Sequence, residues 1–206
     1  MIRFYFVRHG ETEWNSTGKY QGQSDVALSQ TGLCQAQALA ARFPAETLDA
    51  IYASDLKRAA ATAEAVVTRF RCPLEKDAAL REIHFGDWEG HTYEEIAARW
   101  PEQGANFFRA PETLIIPHGE TFPLLQKRAM QKIQEIAAKS EGKNVAVVAH
   151  GAILRTILVT LMHIPLHYLW SIRQDNTAVS ILRLDHGFTT IELINSTAHL
   201  ARPDAP

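Results

Sequence analysis

Two short apolar runs in this chain end in the same dipeptide. Ile2 to Val7 leads into Arg8-His9-Gly10, and Val145 to Ala149 leads into His150-Gly151. Neither run alternates apolar with polar residues, which is the pattern of a strand buried on both faces of a mostly parallel sheet. Open α/β folds place their ligands at the carboxyl edge of such strands. A third run, Ala50 to Ser54, stops just before Arg58. If the three strands are parallel neighbours, His9, His150, Arg8 and Arg58 converge on one edge. The glycine after each histidine lets backbone N–H groups come close to a ligand. Two guanidiniums, two imidazoles and free amides describe an anion site suited to a phosphoryl group. Taken singly, each residue also fits a structural role: His9 beside a turn glycine, His150 in a core, Arg58 on a solvated helix.

The segments between these strands read as helices. From Ser29, Leu33, Ala36, Leu39, Ala40 and Phe43 recur at helical spacing until Pro44. An alanine-rich helix is predicted from about Leu56 to Phe70, and a long amphipathic one from about Thr121 to Ser140, with Leu125, Ala129, Ile133, Ile136 and Ala137 on one face. Ala152 to Met162 reads as a buried helix, with Met130 and Met162 as core residues. Thr177–Leu184 and Phe188–Ile194 read as a β-hairpin. Strand–helix alternation predicts an α/β three-layer sandwich: a mostly parallel central sheet with helices on both faces. Residues 73–123 are punctuated by prolines, and Thr92-Tyr93-Glu94-Glu95 opens a short helix that stops at Pro101. We read a single domain over 1–206 with a cap insertion at about 83–123.

Composition narrows the function. The net charge of −2 and the scattered Lys and Arg argue against nucleic acid as a partner. The apolar stretch Val145–Trp170 is interrupted by His150, Arg155, His163 and His167, so no membrane span is expected. Cys34 and Cys72 are read as reduced, partly buried small hydrophobes of a cytoplasmic protein, a disulfide being the alternative. His84, Asp87, Glu89 and His91 fit no familiar metal-ligand spacing, so no metal is expected.

Arg8-His9-Gly10-Glu11-Thr12 with Asn15, Ser54 with Arg58, Glu82 in Leu80-Arg81-Glu82, and His150-Gly151 occur in order over nearly the whole chain. In this the sequence resembles the histidine phosphatase, or phosphoglycerate-mutase-like, superfamily. The resemblance implies that His9 is a nucleophile carrying a phosphohistidine, its other nitrogen held by a backbone carbonyl. It implies that Arg8, Arg58 and His150 bind and stabilise the phosphoryl oxygens, in place of a metal. Asn15, Gln21, Gly22 and the Gly151 amide would complete the phosphate site. Glu82 would protonate the leaving oxygen and then activate water. No cofactor is implied, and the partner would be a small phosphate monoester.

The same resemblance bears on the reaction. Glu82-Ile83-His84-Phe85-Gly86-Asp87-Trp88-Glu89-Gly90 and Pro117-His118-Gly119-Glu120-Thr121 are similar to the broad-specificity and α-ribazole phosphatase branch. Between Ile83 and Gln126 the only cations are Arg99 and Arg109, against seven acids, a poor setting for a second phosphate. Gln21-Gly22-Gln23 also departs from the mutase pattern. A phosphomonoesterase is therefore expected. A cofactor-dependent phosphoglycerate mutase and a non-catalytic phospho-ligand- or protein-binding member are the alternatives.

Overall fold

A computed structural model describes residues 1–201. Residues 202–206, which the expected single domain includes, lie outside that range. The elements, in chain order, are β1 (Ile2–Arg8), α1 (Glu13–Ser16), α2 (Gln30–Ala41), β2 (Ala50–Ala53), α3 (Lys57–Phe70) and β3 (Leu74–Lys76). They continue with α4 (Tyr93–Arg99), α5 (Pro101–Arg109), α6 (Phe122–Lys139), β4 (Asn144–Ala149), α7 (Gly151–Leu161), β5 (Val179–Asp185) and β6 (Phe188–Ser196). The strands form one six-stranded sheet in the order β3-β2-β4-β1-β5-β6. β3-β2, β2-β4 and β4-β1 pair in parallel, and β5 and β6 run antiparallel at one side. The register sets Arg8 opposite Ala149, so β1 and β4 end side by side and their His-Gly pairs emerge together.

Strand periodicity divides the core. Phe4, Phe6, Val145, Val147 and Ala149 face α6 and α7, while Tyr5, Val7, Ala146 and Val148 face α2 and α3. The sheet is thus covered on both faces, as its unbroken apolar runs require. Each buried Phe or Val among them contributes roughly 1.5–3 kcal/mol by leaving water, and each Ala less.

Several local expectations differ from the structure. Leu33 is 43% exposed, because Gly32 turns inward instead. A Cβ on Gly32 would stand 2.0 Å from the Glu11 carbonyl oxygen, and one on Gly10 would stand 2.6 Å from the Gly32 oxygen. This backbone-to-backbone approach sets the rotation of α2 and presses it against the Arg8-His9-Gly10 turn. Pro101 stops α4 but also opens α5 as its first residue, where its missing N–H costs no hydrogen bond. Leu74–Lys76 joins the sheet as β3. Cys34 is exposed, Cys72 is half-buried, and both are free thiols. Met130 and Met162 pack partly buried against the core.

In the proline-rich excursion, Phe85, Trp88, Phe107, Leu114 and Ile116 are buried. Phe107 is the hub: its ring lies 4.5 Å from Trp170, 5.3 Å from Tyr20 and 5.7 Å from Trp88. Among the described residues no helix is long and apolar enough to cross a membrane.

Candidate active site

His9 and His150, from the ends of β1 and β4, stand with ring centroids 5.1 Å apart. Both are buried. Their hydrogen bonds fix their tautomers. His9 Nδ1 lies 2.6 Å from the Gly10 carbonyl oxygen, which only accepts, so Nδ1 carries the proton and Nε2 keeps its lone pair. Arg58 Nε donates to His150 Nδ1 at 3.1 Å, so His150 carries its proton on Nε2. That Nε2–H is buried and has no partner among the described residues. Burial, then the guanidiniums of Arg58 and Arg8, push His9 well below the ordinary imidazole value. Burial and Arg58 do the same to His150. Both rings are therefore neutral at physiological pH, one presenting a lone pair and the other an N–H.

This has a measurable consequence for stability. Below about pH 6.5 the unfolded chain takes up protons at both histidines that the folded chain refuses, so stability falls with pH. The slope approaches about 1.4 kcal/mol per pH unit for each group. Urea unfolding between pH 7.5 and 5.5 should show a shallower slope for His150→Gln than for the wild type. Equal slopes would mean that His150 is already protonated in the fold.

Arg58 is buried on α3. It donates through Nη1 to Ser24 O and through Nη2 to Gly22 O, both at 2.7 Å. Burial lowers its pKa to about 10, which leaves it charged at neutral pH. The loop it holds is gripped from the other side by Glu89, whose carboxylate accepts from the amides of Gln23 and Ser24 (2.9 Å each), the Ser24 hydroxyl and the Phe85 amide. Gly22 sits between the clamps at φ +51°, and a Cβ there would stand 2.1 Å from Glu89 Oε1. Gln21 lines the pocket with a buried, unpartnered Oε1.

Arg8 donates through Nη1 to Gln174 O at 2.6 Å and keeps a buried, unpartnered Nε. Asn15 Oδ1 accepts from Thr12 N and Oγ1 (3.1 Å each) and from Asn176 Nδ2 (3.3 Å), which leaves its own Nδ2 for the pocket. Thr62 Oγ1 accepts from the Gly10 amide and donates to Arg58 O, tying α3 to the His9 turn.

Glu82 caps a helix from a distance. His150 occupies the N-cap of α7 but makes no capping hydrogen bond. The first-turn amides of Ala152 and Ile153 donate instead to Glu82, each at 3.0 Å, as does the Ile83 amide. The imidazole of His150 is thereby free for the pocket, and Gly151 is the first-turn residue whose amide Glu82 does not take. Arg128 on α6 fixes the backbone under this acid, donating to Ala79 O, Arg81 O and Glu82 O while Glu120 holds its other edge. A Cβ on Gly151 would stand 3.1 Å from Arg155 Nη1, 3.7 Å from Arg8 Nε and 3.8 Å from Glu82 Oε2.

All nine residues expected from sequence meet here, and eight of them line a pocket of about 470 Å³; His150 lies buried beside it. Arg155, Lys19, Trp14, Tyr20 and Trp170 also line it and were not anticipated. Arg155 follows Gly151 by four residues, one helical turn, so the spacing carried a signal for it. Of the four residues His84, Asp87, Glu89 and His91, His91 keeps a buried Nδ1 with no partner among the described residues, and the other three are engaged elsewhere. Glu89 clamps the loop, Asp87 pairs with His118 at 3.0 Å, and His84 lies 3.8 Å from Glu89.

Two neutral imidazoles among buried guanidiniums, at the carboxyl edge of an open parallel sheet, define an α/β protein built to handle phosphoryl groups. Comparison with known proteins gives the family. The chain belongs to the histidine phosphatase superfamily (branch 1), whose family model matches residues 4–197. It is 32% identical over 200 residues to phosphoserine phosphatase 1 of Hydrogenobacter thermophilus, covering 97% of this chain and 95% of that one. It is 29% identical over 197 residues to the adenosylcobalamin/alpha-ribazole phosphatase of Salmonella typhimurium, covering 96% and 98%. The solved structure of Bacillus stearothermophilus YhfR superposes with a TM-score of 0.92 at 37% identity, covering 98% of this chain and 100% of that one.

Proposed function

We propose that this chain hydrolyses small phosphate monoesters without a metal, through a phosphohistidine on His9. The observation that carries the reading is the His9 tautomer: a neutral ring whose Nδ1–H is held by Gly10 O and whose Nε2 lone pair is free. Nε2 attacks phosphorus, the Nε2–P bond forms, and the ester P–O bond breaks. Glu82 gives its proton to the departing oxygen. The resulting carboxylate takes a proton from water, which attacks the phosphohistidine and releases inorganic phosphate. Arg8 Nε, His150 Nε2–H, Arg58, Asn15 Nδ2 and the Gly151 amide receive the phosphoryl oxygens, with Gln21 and Gly22 shaping the rim. Fixed cations and N–H groups supply the charge stabilisation that Mg²⁺ gives other phosphoryl-transfer enzymes. Residues 83–123 act as a cap that brings Phe85, Phe107 and Phe108 to the mouth. The free thiols of Cys34 and Cys72 suit a reducing, cytoplasmic setting.

The mouth also bears on the leaving group. The cap is acidic, yet Arg155 from α7 and Lys19 bring positive charge from outside it. Arg155 donates to the carbonyls of Ile172 and Gly151 and packs on Trp170, with no carboxylate partner among the described residues. Burial, then repulsion from Arg8, lowers its pKa to about 10. An ester whose leaving group carries a carboxylate relieves that repulsion, so we favour phosphorylated carboxylic acids such as O-phosphoserine over neutral esters. The test is hydrolysis in EDTA of O-phosphoserine, α-ribazole 5′-phosphate and p-nitrophenyl phosphate. Strict dependence on added divalent metal would overturn the mechanism. Interconversion of phosphoglycerates dependent on 2,3-bisphosphoglycerate would replace hydrolase by mutase. Arg155→Ala should lower kcat/KM for phosphoserine roughly ten- to hundredfold, as expected for a lost hydrogen bond to a charged group. It should change p-nitrophenyl phosphate far less, and an equal loss on both would reject the carboxylate subsite.

A further inference from the structure

Thr177 is the anomaly of the segment that follows the mouth. It is fully buried, and its φ is +58°, a left-handed conformation that β-branched residues rarely adopt. Such conformations persist where the surroundings over-determine them, and they gather at functional sites. The surroundings here are the backbone of the proposed nucleophile. The Thr177 amide donates to Arg8 O at 3.0 Å and lies 3.3 Å from His9 O. Asn176 Nδ2 donates to His9 O at 3.0 Å and to Asn15 Oδ1 at 3.3 Å. Arg8 in turn donates its own amide to Ala178 O at 3.3 Å and its Nη1 to Gln174 O. Residues 174–178 therefore form the floor on which Arg8, His9 and Asn15 rest.

The Thr177 hydroxyl donates to Asn176 O at 2.7 Å, so its single proton is committed. The remaining partner of Oγ1 is His199 Nε2 at 2.9 Å, which must then be the donor. His199 comes from the far end of the chain. It lies in the short helical turn Ala198–Leu200, is itself buried, and its segment is pinned to α2 where Arg42 Nη1 donates to Ala201 O at 2.6 Å. Burial, then Arg42, lowers the His199 pKa, consistent with a neutral ring carrying its proton on Nε2.

We propose that His199 is a positioning residue: its Nε2–H···Oγ1 hydrogen bond holds Thr177 in the left-handed turn and so sets the backbone of Arg8 and His9. It does not touch substrate. The C-terminal segment thus completes the floor of a site whose reacting groups begin at residue 8. The proposal rests on the reading of His9 as nucleophile.

Steady-state and single-turnover kinetics with p-nitrophenyl phosphate, alongside thermal unfolding, test it. His199→Ala should lower the rate of phosphohistidine formation by roughly 10- to 100-fold, the scale of a small misplacement of reacting groups. KM should shift much less. His199→Gln, which keeps an N–H donor, should restore most of the rate. Thr177→Gly adopts positive φ freely but has no Oγ1, so in that background His199→Ala should cost nothing further. Independent, multiplying losses would overturn the proposal, as would a lowered Tm with unchanged kinetics. Where His199→Ala does not fold, His199→Gln is compared with His199→Met, of similar size and without a donor; equal rates in the two would overturn it. A wild-type enzyme that forms no acid-labile label on His9 would remove the nucleophile reading itself. A labelled wild type with unaffected His199 variants removes only this inference.

Discussion

Replacing His9 by alanine should abolish turnover, by roughly 10⁴-fold or more, the scale seen when a catalytic nucleophile is deleted. The acid-labile phosphoryl label should vanish with it. The same variant should fold and still bind. The ring's one hydrogen bond is to its neighbour's carbonyl, so its loss orphans no distant group. Arg8, Arg58 and His150 remain in place to hold phosphate, and a binding titration with inorganic phosphate should give a Kd within several-fold of the wild type. Near-native turnover would show that another group attacks phosphorus. Lost turnover together with lost phosphate binding would show that His9 organises the site instead of reacting in it.

Arg58→Met should do damage of a different kind, to stability and activity together. Methionine fills the volume but donates nothing. The carbonyls of Gly22 and Ser24 lose their donors, and His150 loses the bond that fixes its tautomer. Orphaned buried groups of this type cost about 1–3 kcal/mol each, so with three of them unfolding in urea should shift by about 3 kcal/mol or more. Loss of a preorganised cation at the developing charge should lower kcat/KM by roughly 10²- to 10³-fold. Arg58→Lys should recover little, because one ammonium cannot direct three donors along the fork of a guanidinium. Nitrogen-15 NMR of the imidazoles gives a direct readout: in the wild type His150 is protonated at Nε2, and in Arg58→Met the two tautomers should mix. Full activity in the lysine variant would reduce Arg58 to a point charge.

These two substitutions also mark where sequence reading reached its limit. His9 and His150 were legible because each follows directly from a strand end, and Arg58 because it stands in the first turn of the helix that comes next after one. A buried strand must stop, and the polar residues at its carboxyl end have nowhere to go but the ligand edge. Arg155 is readable in principle, one turn beyond Gly151 on α7, but it lies outside the cap, so the charge of the cap says nothing of it. Glu89 could be seen only as an acid in a polar loop. Its role as a clamp on Gln23 and Ser24 arises from an approach across 65 residues of chain. The inward turn of Gly32 in place of Leu33 followed from a backbone contact with Glu11 that no periodicity encodes.

The sequence by itself determined the order of the main strands and helices, though not β3 or α5, the burial of the sheet on both faces, and the chemical identity of the groups at its edge. Those are local consequences of side-chain pattern, and each is encoded within a few residues of where it acts. Tertiary structure alone decided which nitrogen of His150 carries the proton, because that depends on a guanidinium from α3, whereas the His9 tautomer is set by the carbonyl of the adjacent Gly10. It also decided that Glu82 caps α7 and that His199 reaches Thr177, contacts spanning 70 and 22 residues. Protonation and positioning are properties of neighbours, and neighbours so distant in sequence exist only once the chain has folded.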